Sequence, residues 1–90
     1  MPLVAHFEIP GMTQQQYEGL MEKGFQNKLA PGVLSHAAGP MEGGWWAVDV
    51  YESKEVADRL GAQLGPALAQ MGLKPPKITI RNVHNHLQRK

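Results

Sequence analysis

The sequence predicts an α+β domain of ferredoxin-like type, βαββαβ: a four-stranded antiparallel sheet with two helices on one face. Three observations lead there. Residues 3–9 and 45–52 alternate their side chains with period two and carry aromatic and β-branched residues, which marks strands. Residues 13–25 and 53–71 repeat their apolar positions at helical spacing. Between these stretches lie short Gly- and Pro-bearing connections, so 1–90 reads as one domain with no linker.

In the first strand, Leu3, Ala5, Phe7 and Ile9 share one face, and Val4, His6 and Glu8 the other, until Pro10-Gly11 breaks it. Thr13 with Gln16 three residues on fits a capping box, and Tyr17, Leu20, Met21 and Phe25 follow as the apolar stripe of a helix. After the Ala30-Pro31-Gly32 loop, Val33 to Ala38 reads as a second strand ended by Gly39-Pro40, and 41–44 as a turn. Trp45 to Glu52 is the strongest strand, antiparallel to the second. Trp46, Val48 and Val50 lie on one of its faces; Trp45, Ala47, Asp49 and Tyr51 lie on the other. Ser53 is expected to cap a second helix striped by Val56, Leu60, Leu64, Leu68 and Met71, with a kink or a split at Gly65-Pro66 and a C-cap at Gly72. Lys77 to Val83 is the last strand, with Ile78 and Ile80 opposite Thr79, Arg81 and Val83.

Composition excludes several function classes. The net charge is +1 and the basic residues are scattered, so no nucleic-acid footprint is expected; Arg89-Lys90 reads as a solvated tail. The absence of cysteine excludes a disulfide, a thiolate nucleophile and a Cys-ligated metal. The start has no signal-peptide pattern and no stretch approaches ~18 apolar residues, so a cytoplasmic protein without a membrane segment is expected. A chain of 90 residues buries only a modest core, and two helices cover one face of a four-stranded sheet. The uncovered face, carrying Trp or Val with charged groups, is expected to pair with that of a second copy, forming a barrel across a two-fold axis.

His36 stands in a small, apolar strand, where an imidazole can bind a phenol or shuttle a proton, or can serve as a core histidine bonded to a carboxylate. Asp49 lies between Val48 and Val50; it can act as a base, or pair with His36 across the hairpin or with Arg81. His36 and Asp49 are the candidate catalytic pair. His6, Trp45, Tyr51 and Arg81 are candidate ligand contacts: His6 as a cavity or dimer-seam residue, the aromatics as stacking surfaces, Arg81 as an anion clamp or the partner of Glu8. His84 and His86 can share a metal only if other ligands join them, and no such pattern is present, so no metal is expected. No phosphate-binding loop or nucleophile elbow occurs.

Segments Pro10–Tyr17, His36–Pro40, Gly44–Ser53 and Val83–Asn85 resemble the dimeric α+β-barrel superfamily, in particular small bacterial proteins grouped with the antibiotic-biosynthesis monooxygenases. The resemblance implies a homodimer. It also implies, if catalytic, monooxygenase-like chemistry on a small aromatic or phenolic substrate without any cofactor. The superfamily also holds haem-degrading enzymes, muconolactone-type isomerases and stress-response proteins, so a non-catalytic ligand-binding or stress-response dimer is the alternative.

Overall fold

The computed structural model describes residues 2–87. It contains β1 (Leu3–Pro10), α1 (Gln14–Gly24), β2 (Val33–Met41), β3 (Gly44–Tyr51), α2 (Lys54–Gln70) and β4 (Lys77–Asn82), in the βαββαβ order. The four strands form one antiparallel sheet in the order β2-β3-β1-β4. The Arg89-Lys90 tail lies outside the described residues.

Strand register sorts the side chains into two faces. Ala5 pairs with Asp49 and Ile80, Phe7 with Ala47 and Ile78, and Ile9 with Trp45. These point toward the helices, where Ala5, Phe7, Ile9, Trp45, Ala47 and Tyr51 meet Met12, Val56, Leu60 and Leu68 in the core. The opposite face carries Val4, His6 and Glu8, against Val50, Val48 and Trp46 on one side and Arg81, Thr79 and Lys77 on the other. Because α2 packs on β1 and β3, Ile78 and Ile80 on edge strand β4 lie beyond its cover and remain about half exposed, at 44% and 53%.

Local chemistry explains the element ends. The capping box at α1 forms as expected: the Gln16 amide donates to the Thr13 hydroxyl oxygen at 3.1 Å, and the Thr13 amide donates to Gln16 Oε1 at 3.0 Å. At the end of α2, Gly72 adopts φ +77°, its N–H donates to the Ala69 carbonyl, and the Leu73 N–H donates to that of Leu68. This is a Schellman closure, in which glycine takes the left-handed position without a Cβ penalty.

Three sequence expectations change. β2 does not stop at Gly39-Pro40 but continues to Met41, with Pro40 opposite Trp45. A proline lacks the N–H of an inner ladder, and β2 is an edge strand, where that loss is tolerated. Of the kink or split expected at Gly65-Pro66, the split does not occur: α2 is one helix with Pro66 inside it. Its stripe of Leu60, Leu64 and Leu68 is continuous across the proline and keeps both halves on the same core, while Pro66 itself is exposed. Ser53 occupies the N-cap of α2, but its side chain makes no capping hydrogen bond.

Candidate functional site

The inward register of β2 and β3 makes His36 and Asp49 direct cross-strand partners on the helix-covered face. His36 Nδ1 is hydrogen-bonded to Asp49 Oδ1. A carboxylate only accepts, so Nδ1 carries a proton, and in the neutral imidazole Nε2 presents its lone pair. The Tyr17 hydroxyl reaches down from α1 to that nitrogen at 2.6 Å. At the other end, the Tyr51 hydroxyl donates to Asp49 Oδ2 at 2.8 Å. Four side chains from three elements thus form one chain: Tyr17 O–H to His36, His36 N–H to Asp49, and Tyr51 O–H to the same carboxylate.

The chain lines a cleft between sheet and helices. Its inner chamber has a cavity volume of about 80 Å³, walled by Phe7, Ile9, Leu20, Leu60 and Leu64 together with the polar chain. An outer cleft of about 410 Å³ opens above it, bordered by Glu18, Glu22, Asn27 and Lys28. Tyr17, Met21, Lys28, Leu29 and His36 line both spaces. The side chains of His36 and Asp49 retain 21% and 16% exposure, so the pair is shielded yet reachable. The inner chamber alone falls below the ~300 Å³ of an ordinary ligand pocket. A ring-sized ligand must therefore extend into the outer cleft or displace a side chain.

Electrostatics hold both phenols in their protonated form. Burial, the neighbouring Asp49 charge and the hydrogen bond to it push the Tyr51 hydroxyl far above the ordinary tyrosine range. Burial and, secondarily, the charge of Asp49 raise that of Tyr17. Both tyrosines are therefore donors in this network, and His36 is the group placed to accept a proton.

The other predicted residues divide. Tyr51 lines the inner chamber with His36 and Asp49. Trp45 is buried behind Tyr17, with ring centroids 5.3 Å apart and planes at 27°, and serves as the backing of the tyrosine ring. His6 and Arg81 lie on the opposite face of the sheet, exposed, and line neither of the two spaces that His36 lines. The expected Glu8–Arg81 pair is out of register: Lys77 stands opposite Glu8, and Arg81 stands opposite Val4. Among the described residues no group of three or more His, Asp or Glu converges as a metal site, His84 and His86 included. Tyr17 is the site residue missed from the sequence. It reads as an apolar-stripe position, and its hydroxyl finds a purpose only once α1 is laid over β2.

Fold and site together define a ferredoxin-like α+β protein with a shielded tyrosine–histidine–aspartate chain between helices and sheet. No family model matches the chain, and no curated protein matches it. Among solved structures it is similar to SnoaB, a cofactor-independent oxygenase from Streptomyces nogalater solved as a mutant, with a TM-score of 0.62 over 98% of this chain and 97% of that one. The two sequences are 16% identical, a likeness of fold. The resemblance read from the sequence is met at that level. No helix among the described residues is long and apolar enough to cross a membrane.

Proposed function

We propose that the protein is a monooxygenase-like enzyme that acts on a small aromatic or phenolic substrate without a cofactor, with His36 as the proton acceptor and Asp49 as the group that orients it. The observation that carries this reading is the hydrogen-bonded His36–Asp49 pair at the wall of a largely apolar cleft. Asp49 fixes the tautomer that leaves Nε2 basic and favours the imidazolium formed when Nε2 takes a proton. The fold shared with a cofactor-independent oxygenase lends support.

The balanced reaction uses dioxygen as the oxidant. Nε2 takes the hydroxyl proton of the enol form of a ring whose keto form carries an acidified CH2 group, leaving carbanion character at that carbon. The carbanion gives electrons to dioxygen and forms a C–O bond, and the imidazolium returns its proton to the peroxide. Loss of water then leaves a carbonyl: CH2 plus O2 gives C=O plus H2O. Tyr51 keeps the Asp49 carboxylate in place throughout. The reading also has the protein act in the cytoplasm as a homodimer, joined through the open sheet face. There Val4, Trp46, Val48 and Val50 form an apolar centre among His6, Glu8, Lys77 and Arg81.

One observation favours a second reading, a non-catalytic ligand-binding or stress-response module: Tyr17 already satisfies Nε2, so the chain is a closed structural network as it stands. Oxygen uptake separates the two. Chelator-treated protein is mixed with dihydroxyanthrone, whose ring CH2 is flanked by two aromatic rings and whose carbonyl accepts the charge. Uptake well above the uncatalysed rate, falling about 100-fold or more in His36→Gln, supports the enzyme. Uptake equal in wild type and variant contradicts it.

A further inference from the structure

Tyr17 occupies the one imidazole position that a ligand of this site would need. Nδ1 of His36 is committed to Asp49, which leaves Nε2, and the Tyr17 hydroxyl holds it at 2.6 Å. The tyrosine is itself a phenol. Its ring lies against Trp45 and is nearly parallel to the imidazole, at an interplanar angle of 7°. Its side chain stands at the wall common to the small inner chamber and the larger outer cleft.

The element that carries it is lightly held. α1 contributes no fully buried side chain, and it leads into Gln26 and Asn27, two consecutive non-glycine residues in the left-handed region with φ of 54° and 55°. Such backbone is strained and depends on its surroundings. Both ends of the connection are hydrogen-bonded: the Asn27 amide donates to the Met21 carbonyl at the near end, and at the far end Arg59 donates to the Pro31 carbonyl and the Glu52 amide to that of Gly32. The α1 side, with Tyr17 on it, is the wall whose side chains are only partly buried.

We infer that Tyr17 is a built-in occupant of the ligand site: an aromatic hydroxyl compound binds by taking over the Nε2 position and the space over which Tyr17 now lies, while Tyr17 withdraws. The residue is thereby a latch that any ligand of the site must displace, while Nε2 sets the preference among ligands. Only a ligand that offers its own hydroxyl to His36 compensates for the bond that is broken; an apolar ring of the same size leaves Nε2 without a partner. This inference rests on the reading of the His36 cleft as a ligand site.

The test uses p-cresol, the tyrosine side chain as a free molecule, and toluene, the same ring without the hydroxyl. Both are titrated calorimetrically into wild type, Tyr17→Phe and His36→Leu. Tyr17→Phe keeps the ring on Trp45 and removes only the competing hydroxyl. It is expected to bind p-cresol roughly five-fold tighter than wild type, the equivalent of one ordinary hydrogen bond, and toluene tighter by the same factor, because either ring must displace Tyr17. His36→Leu, which has no acceptor, is expected to lose the preference for p-cresol over toluene. In wild type, saturating p-cresol must shift the ring proton resonances of Tyr17, one of only two tyrosines. Equal p-cresol affinity in wild type and Tyr17→Phe, still dependent on His36, overturns the latch and leaves the pocket reading standing. Tyr17 resonances unmoved at saturation do the same. Absence of p-cresol binding in all three proteins overturns both.

Discussion

His36 and Asp49 are neighbours across the β2–β3 ladder, one residue from each strand at the same rung, and their side chains are joined on the helix-covered face. The rung fixes the imidazole before any ligand arrives, because a strand position leaves the ring few ways to turn and the carboxylate selects one of its nitrogens. Everything proposed for the site follows from that pairing.

Removing the carboxylate should therefore be felt in both stability and tautomer. Asp49→Ala leaves the Nδ1–H of His36 and the hydroxyl of Tyr51 without their acceptor. A loss of about 2 kcal/mol is expected by urea unfolding, moderated by the partial exposure of the pair. Asp49→Asn restores an acceptor without the charge and should cost about half as much.

The two tyrosines give a pH signature. With both hydroxyls raised above the ordinary value of 10.0, the native protein should show no tyrosinate absorbance step near pH 10, whereas the urea-unfolded chain should show both groups titrating there. The sign for stability follows. A folded-state value above the unfolded one means that the native state keeps protons the unfolded chain gives up. The contribution is fully present below pH ~10 and is lost as pH rises beyond it. Unfolding free energy should fall more steeply above pH ~10 in wild type than in Tyr51→Phe.

Pro66 sits in the exposed interior of α2, where it cannot donate to the Ala62 carbonyl one turn back. Pro66→Ala should restore that bond and raise stability by about 1–2 kcal/mol in urea unfolding. An unchanged or lower midpoint would mean that the proline shapes the helix to fit the core.

Gly44 closes the β2–β3 hairpin with its Cα against the backbone of β1: a Cβ there would run into the Ile9 carbonyl oxygen. Gly43, at φ +75°, faces open space. Gly44→Ala should thus cost more than ~2 kcal/mol, because strand backbone must shift, and Gly43→Ala about 1 kcal/mol, the ordinary penalty for a left-handed residue.

Most of the fold was legible because its signals are local. The alternation of Leu3 to Ile9 and of Trp45 to Tyr51 assigns each residue to a face, and the register then follows. Pro40 and Pro66 misled for a common reason. A proline's effect depends on whether its strand is at an edge and whether its helix has a core on both sides, which are tertiary facts. The site was half legible. His36 and Asp49 stand out as polar residues among apolar neighbours, and Tyr51 shares the parity of Asp49. The short apolar run of β2, with a bulge between Val33 and Ser35, hides which way His36 points. Tyr17 was hidden more deeply, since a tyrosine in an amphipathic stripe looks the same whether its hydroxyl meets water or an imidazole. His6 and Arg81 attract attention by charge, but parity sets them on the far face.

The most direct test of the account is the nitrogen-15 spectrum of the His36 ring, recorded with and without p-cresol. The account predicts a ring protonated at Nδ1 alone in the free protein, with a proton bonded to Asp49, and a p-cresol-dependent change confined to Nε2. A free protein whose His36 carries its neutral-form proton on Nε2, or a ring indifferent to p-cresol at concentrations that saturate a His36-dependent site, would contradict it.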